Sequence, residues 1–134
     1  MSFMNRPSHP HGRKNRGALR FIQSTVYSAQ GFRAAFSSEE AFRQELIVCI
    51  TLTPFAFLLG RNFAEIVVLL GVLVSVLTVE LINSAIEVLA DTVSAETHPL
   101  IGQTKDIASA AVMMVITFAG LVWFGLLLVR LFSH

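Results

Sequence analysis

The stretch that decides the fold runs from Val67 to Leu89 and reads VVLLGVLVSVLTVELINSAIEVL. It is long and apolar enough to cross a bilayer as a helix, which takes about 20 residues. Glu80, Asn83 and Glu87 interrupt it, and at 100° per residue they fall within about 60° of one helix face. An ionisable group at the centre of a membrane helix costs at least about 2.5 kcal/mol. This polar stripe therefore predicts a functional site that faces a partner helix or a cleft.

Composition also indicates a membrane protein. Hydrophobic residues make up 54% of the chain and charged residues 14%, against roughly 25% charged residues in soluble domains. The single cysteine excludes a framework of disulfides. A chain of 134 residues has room for one small unit, whose few helices bury little of their own polar surface. We therefore expect several copies of the chain to associate.

The region before the first span has two parts. Residues 1–16 are rich in basic residues and predict a disordered tail, whereas residues 17–36 carry apolar side chains at helical spacing. The second pattern is typical of an amphipathic helix that lies on the membrane surface. Ser37 and Glu40 then fit a capping box, which would begin the next helix.

Three transmembrane helices follow from the hydropathy pattern, at about residues 41–59, 64–90 and 107–132. Residues 91–106 hold several charged side chains and predict a polar loop. The predicted fold class is an all-α membrane protein, with an N-terminal surface helix and three spans in a helical bundle. Residues 17–134 would form a single membrane domain.

Orientation follows from the basic residues, because cytoplasmic flanks of membrane helices carry an excess of Lys and Arg. Seven of the ten Lys and Arg residues lie at position 43 or earlier in the chain. The N-terminus, the loop of residues 91–106 and the polar stripe are thus predicted on the cytoplasmic side. Attraction of the basic tail to anionic lipid headgroups accounts for its charge, and no nucleic-acid partner is predicted.

The residues at this face suit phosphoryl transfer, which needs a metal on phosphate oxygens, cations and a base. Glu39 and Glu87 offer hard oxygen ligands for magnesium, while Glu80 lies deeper, where it can reach a lipid hydroxyl. Lys105 and Arg20 offer cations. From the residues alone, a proton or ion path along the stripe and a polar helix-packing motif stay open as alternatives.

Four blocks of the chain resemble the small bacterial integral-membrane diacylglycerol kinase family. In order, they are GFRAA at 31–35, AFRQE at 41–45, VELINSAIE at 79–87 and KDIASAAV at 105–112. The resemblance covers the chain from about residue 17 to its end. The AFRQE and SAAV sequences are more similar to the Gram-negative-type members, which favours diacylglycerol as the substrate. Undecaprenol, the substrate of sister proteins, is the alternative within the family, and a small ion-conducting oligomer is the alternative from another class.

The resemblance implies an ATP-dependent lipid kinase that makes phosphatidic acid and ADP, uses Mg²⁺ as MgATP and lies in the bacterial inner membrane. It also implies a homotrimer whose sites are shared between subunits. Glu80 matches the catalytic base, and Glu39 and Glu87 match the metal-binding carboxylates. Asp91 stays outside this set, since a role at the helix end explains it as well.

The remaining site residues follow from the same resemblance. The implied ATP-binding residues are Arg20, Tyr27, Glu39, Asn83, Glu87, Glu96, His98, Lys105 and Asp106. The implied lipid-substrate residues are Arg20, Arg33, Ala34, Ala35, Phe36, Ala41, Phe42, Arg43, Gln44, Glu45, Glu80 and Ser109.

Overall fold

Helices make up nearly all of the structure, a computed structural model that describes residues 16–93 and 98–133. They are α1 (Arg16–Ser38), α2 (Glu40–Leu59), α3 (Phe63–Val93) and α4 (Pro99–Phe132), with no strand among the residues described. The all-α prediction is therefore confirmed. The chain divides into two compact units, Met1–Arg33 and Ala34–His134. Most of the predicted tail, and Glu96 of the predicted nucleotide site, lie outside the described residues.

The first unit contains most of α1. Every described side chain from residue 17 to 33 is exposed, including the apolar Leu19, Ile22 and Val26. The helix predicted at 17–36 is thus confirmed as a helix, whose apolar side chains find no cover inside their own unit. Its place on the membrane surface stays a prediction.

The predicted capping box between Ser37 and Glu40 is wrong. α1 continues through this position, and the Ser37 hydroxyl donates to the Ala34 carbonyl within α1 at 3.0 Å. Glu39, in extended conformation, is the N-cap of α2 and makes no side-chain capping bond. The Arg43 guanidinium instead donates to carbonyls of α1's last turn, those of Phe36 and Ser37, at 3.0 and 3.3 Å. It thereby satisfies acceptors that a helix end leaves unpaired.

α3 is the central helix of the second unit, because it packs extensively against both α2 and α4, which touch each other far less. Val72 and Val76 of α3 form the core with Ala119 of α4, and Trp123 packs against this cluster. Among the described residues, α2, α3 and α4 are the helices long and apolar enough to cross a membrane. Most of their large apolar side chains remain exposed in a single chain, as expected of helices that meet lipid or further copies.

Within the predicted polar loop of residues 91–106, the described residues 91–93 and 99–106 are helical. α3 extends to Val93 and α4 begins at Pro99, where proline is well tolerated because the first helical N–H needs no partner. The His98 side chain caps α4 by accepting from the Leu100 N–H at 3.3 Å. A helix of 34 residues is about 51 Å long, which exceeds the roughly 30 Å of hydrocarbon. Polar residues in its first turns therefore need not enter the apolar layer.

The opposite end of the bundle is tied by Arg130 of α4. Its guanidinium forms an ion pair with Glu65 at the start of α3 and donates to the Leu59 carbonyl at the end of α2, at 3.0 Å. Glu65 also accepts from the Arg61 N–H at 2.8 Å, and its own N–H is capped by Asn62 at 3.0 Å. These bonds join the ends of all three spans.

Candidate active site

The polar stripe of α3 is buried inside a single chain. Glu80 is 2% exposed and Asn83 8% exposed, while Glu87 is half-buried. The Asn83 amide donates to the Glu87 carboxylate at 3.3 Å, one helical turn away. Helical spacing thus lines these groups along one face, and the packing of the bundle removes the inner two from solvent.

The charges of carboxylates from two helices act on Glu80. Glu45 of α2, Glu87 of α3 and Glu39 at the N-cap of α2 all lie close enough for their charges to act on Glu80, in that order of strength. Four acidic groups therefore gather at one end of the second unit. Such groups repel one another unless protons or a cation join them, so this end is suited to bind positive charge.

The described carboxylates at this end of the bundle are too few within reach of one another to hold a metal ion by themselves. Within residues 16–93 and 98–133, no group of three or more His, Cys, Asp or Glu side chains is arranged to hold a metal. Magnesium bound together with substrate phosphates needs only one or two carboxylates. Asn83 Oδ1 and Glu45 Oε2 are buried acceptors without hydrogen-bond partners in the described part of the chain. The excess of negative charge and the unpaired oxygens both suit a hard divalent cation.

Lys105 stands at the outer end of the stripe. Its ammonium lies 2.5 Å from the Asp91 carboxylate, and the charge of Glu87 also acts on it. Because α4 begins at Pro99, Lys105 belongs to a helix and not to a loop. Asp106 and Ser109 lie exposed in the same part of α4, and His98 is its N-cap.

The predicted lipid residues fall into different environments. Phe42 is 1% exposed and Ala35 is also buried, so both contribute to the packing of a single chain. Arg43 is engaged with the carbonyls of α1, and Gln44 donates to Glu40 at 3.1 Å. Glu45 lies nearer the centre of the site than the sequence indicated, since its charge is the strongest acting on Glu80.

Arg20, Tyr27 and Arg33 belong to the first unit. All three are exposed on α1. The structure accordingly brings together Glu39, Glu80, Asn83, Glu87 and Lys105 from the predicted set. The roles of the first-unit residues stay predictions.

Ser84, which follows Glu80 by one helical turn, is a further buried polar residue of α3. Its side chain is 5% exposed, and its Oγ has no hydrogen-bond partner among the residues described. Nine hydroxyls in the helices donate to the carbonyl four residues earlier, namely those of Thr25, Ser38, Thr51, Thr53, Ser75, Thr78, Thr92, Thr104 and Thr117. The Ser84 hydroxyl, one turn from Glu80, makes no such bond among the residues described. Its position on the stripe is the one sequence signal that could have identified it.

An apolar groove adjoins the acidic cluster. It has a volume of about 410 Å³ and is lined by residues of α2, α3 and α4. Gln44 and Glu45 lie at its polar end, and Leu52, Leu73 and Trp123 are among its apolar lining residues. A long apolar molecule in this groove would have its polar head beside Glu45.

Comparison with known proteins identifies one family. The family model for prokaryotic diacylglycerol kinase matches residues 26–127. A protein of Haemophilus influenzae named diacylglycerol kinase is 40% identical over 114 residues, which cover 85% of this chain and 97% of the relative. Proteins with the same name from Pseudomonas aeruginosa and Escherichia coli K12 are 43% and 39% identical, over 84% and 88% of this chain and 91% and 93% of their own lengths.

Proposed function

The chain belongs to the prokaryotic diacylglycerol kinase family and is a lipid kinase, and we propose that its buried α3 stripe carries out the transfer. In this reaction the γ-phosphoryl group of ATP passes to the hydroxyl of diacylglycerol, which gives phosphatidic acid and ADP. The observation that carries the assignment is the burial of Glu80 among Glu39, Glu45 and Glu87. A carboxylate that is buried away from water inside a membrane-spanning helix bundle can meet a lipid hydroxyl.

Glu80 is the proposed base. The hydroxyl oxygen of the lipid bonds to the γ-phosphorus while the bond from that phosphorus to the bridging oxygen of ADP breaks. The hydroxyl proton passes to the Glu80 carboxylate, a contribution typically worth about 10²–10⁴-fold in rate. The neighbouring Asn83 amide, bonded to Glu87, fixes the turn of α3 that follows Glu80.

Glu39 and Glu87 are the proposed ligands of magnesium, with Asn83 Oδ1 beside them as an unpaired acceptor. Magnesium, when bound with ATP, neutralises charge on the β- and γ-phosphate oxygens. The Lys105 ammonium binds the phosphates from α4. The other proposed nucleotide contacts are Arg20, Tyr27, Glu96, His98 and Asp106.

The groove beside Glu45 is the proposed place for an acyl chain of the lipid. Its apolar lining suits hydrocarbon, and its lining residue Glu45 carries the strongest of the neighbouring charges that act on Glu80. An acyl chain seated there would present the glycerol hydroxyl to the carboxylate. The proposed lipid residues at that end include Ala41, Arg43, Gln44, Glu45 and Ser109.

Assembly and location complete the proposal. The chain acts as a homotrimer in the bacterial inner membrane, with its N-terminus and the nucleotide site in the cytoplasm. The excess of basic residues before residue 44 supports this orientation. The exposed apolar side chains of α2, α3 and α4 support contact with lipid and with other copies.

The test is a kinase assay on purified protein in mixed micelles, with MgATP and either diacylglycerol, undecaprenol or no lipid alcohol. We expect ADP and phosphatidic acid to form in equal amounts with diacylglycerol, and ADP release to be slow without a lipid alcohol. Faster phosphorylation of undecaprenol would assign the other substrate of the family. ATP consumption that no lipid alcohol stimulates would contradict the lipid kinase assignment.

A further inference from the structure

We propose that Asp91 is a positioning residue for Lys105, which it holds ready for the phosphates of ATP at the outer end of the α3 stripe. This inference rests on the proposed function. The inference goes beyond the proposed function because the resemblance to the family assigned no role to Asp91, and a helix-end role explained that residue equally well. The carboxylate does not touch the nucleotide in this proposal and acts through the ammonium alone.

The geometry of α3 supports the proposal. Asp91 follows Glu80 by 11 residues, which places it about 20° from Glu80 around the helix and about 16 Å further along the axis. It is one turn beyond Glu87 on the same face. Asp91 Oδ1 lies 2.5 Å from Lys105 Nζ, and the charge of Glu87 also acts on that ammonium. The ion pair thus extends the stripe with a cation one turn beyond the proposed metal ligand.

Stability does not explain an acidic residue at this position. The Asp91 and Lys105 side chains are 68% and 37% exposed, and exposed ion pairs contribute little to folding. Asp91 also lies in the last turn of α3, where a negative charge opposes the helix dipole and where the structure has no basic residue. The location is unfavourable for the helix itself, so the benefit of this carboxylate lies in what it does to Lys105.

The chemistry of an ammonium explains how Asp91 can assist without blocking the site. Lysine has a flexible stem of four carbons and no preferred direction of its own. Its ammonium has three donors, so one can bond Asp91 while the others bond phosphate oxygens. Without Asp91, Lys105 keeps its charge but loses its direction. Because loss of the Asp91 carboxylate also removes a negative charge that repels ATP, its effect should be a lower kcat and not a higher KM for MgATP.

The experiment compares Asp91→Asn, Asp91→Glu and the wild-type protein in the kinase assay. We expect Asp91→Asn to lower kcat about tenfold, since small misplacements of a reacting group are costly, while KM for MgATP stays the same or falls. Asp91→Glu should recover a large part of kcat, because it restores a carboxylate. Arg61→Gln is the control, since it changes one exposed charge at the opposite end of the bundle and should leave kcat unchanged.

Several results would overturn the proposal. A wild-type kcat in Asp91→Asn, or a raised KM with normal kcat, would show that Lys105 needs no positioning by Asp91. A marked drop in the thermal midpoint of Asp91→Asn would make the ion pair structural. In a Lys105→Met background, adding Asp91→Asn should cost no further activity, because a residue that acts through Lys105 has nothing left to position. A further loss of activity in the double variant would contradict the proposal. Absence of lipid kinase activity in the wild-type protein would instead contradict the proposed function on which this inference rests.

Discussion

At the scale of single residues, the least common feature is a carboxylate buried in a membrane helix. Glu80→Gln keeps the size and polarity of the side chain but cannot take a proton from the lipid hydroxyl. We expect turnover to fall by about 10²–10⁴-fold, with the thermal midpoint unchanged or higher because one of four gathered negative charges is removed. The measurement is the rate of phosphatidic acid formation at saturating substrates, with Arg61→Gln as the control. More than about a tenth of the wild-type rate would exclude Glu80 as the base.

The unpaired Ser84 hydroxyl allows a second prediction at this scale. A buried hydroxyl without a partner destabilises the folded state, so Ser84→Ala should leave the thermal midpoint unchanged or raise it. Ser75→Ala is the matched control in the same helix, because the Ser75 hydroxyl is exposed and bonds the Gly71 carbonyl at 2.8 Å. A lower midpoint for Ser84→Ala than for Ser75→Ala would show that the Ser84 hydroxyl already has a partner. Lost activity with kept stability would indicate a bond made only with substrate.

Sequence and structure agree on those residues that the energetic cost of a polar group in a membrane helix is enough to identify. Glu80, Asn83 and Glu87 could be singled out because polar groups in an apolar helix are expensive. The closeness of Glu45 to Glu80, and the direction of the Ser84 hydroxyl, depend on how α2 packs against α3. Neither follows from the pattern of one helix.

At the scale of the elements, the spans could be predicted because each needs a long apolar run, but the end of α3 and the start of α4 could not. Residues 91–106 indicated a loop because they are polar, although helices longer than the bilayer continue into the headgroup region with polar side chains. Ser37 and Glu40 matched a capping box, yet α1 continues through Ser37 and the N-cap of α2 is Glu39, while Arg43 bonds the last carbonyls of α1. Contacts between residues seven apart across a helix break lie outside such local patterns.

The Arg43 contacts give a prediction for the junction of α1 and α2. Arg43→Gln removes the guanidinium that bonds the carbonyls of Phe36 and Ser37, and hydrogen bonds from a charged group contribute about 1.5–3 kcal/mol at most. We expect faster hydrogen exchange at residues 34–39, with the exchange of α3 unchanged. Arg61→Gln is the control, since the described contacts of Arg61 involve only its backbone N–H. Equal exchange in both variants would show that Arg43 does not hold this junction.

At the scale of the whole molecule, the two ends of the bundle have separate tasks. The Arg130–Glu65 ion pair lies at the end away from the stripe, with side chains only 15% and 28% exposed. Arg130→Met should lower the thermal midpoint, because it leaves the Glu65 carboxylate partly buried without its cation. Adding Glu65→Gln should recover part of the loss. At temperatures well below the thermal midpoint, both variants should have the wild-type kcat. A lower kcat at those temperatures would show that the two ends are coupled.

Assembly is the last property of the whole molecule that the site predicts. The charge of Glu87 acts on both Glu80 and Lys105 within a single chain, whereas Arg20 belongs to the first unit and is exposed in its own chain. If the proposed trimer shares its sites, Arg20 of one subunit can serve the stripe of a neighbour. Inactive Glu80→Gln and Arg20→Ala subunits should then regain activity when mixed, since random assortment in a closed ring rebuilds roughly a quarter of the sites.

The matched control is a mixture of Glu80→Gln with Lys105→Ala subunits. In this proposal Glu80 and Lys105 of one site come from the same chain. Every site in the mixture then carries one of the two substitutions, so no activity should return. Exchange of subunits is verified by pulling down one variant through a tag and detecting the other. Recovery in the second mixture would place Lys105 in the neighbour's site, because an intact stripe could then receive its cation only from another subunit. Failure of the first mixture despite verified exchange would show that each chain supplies its own Arg20.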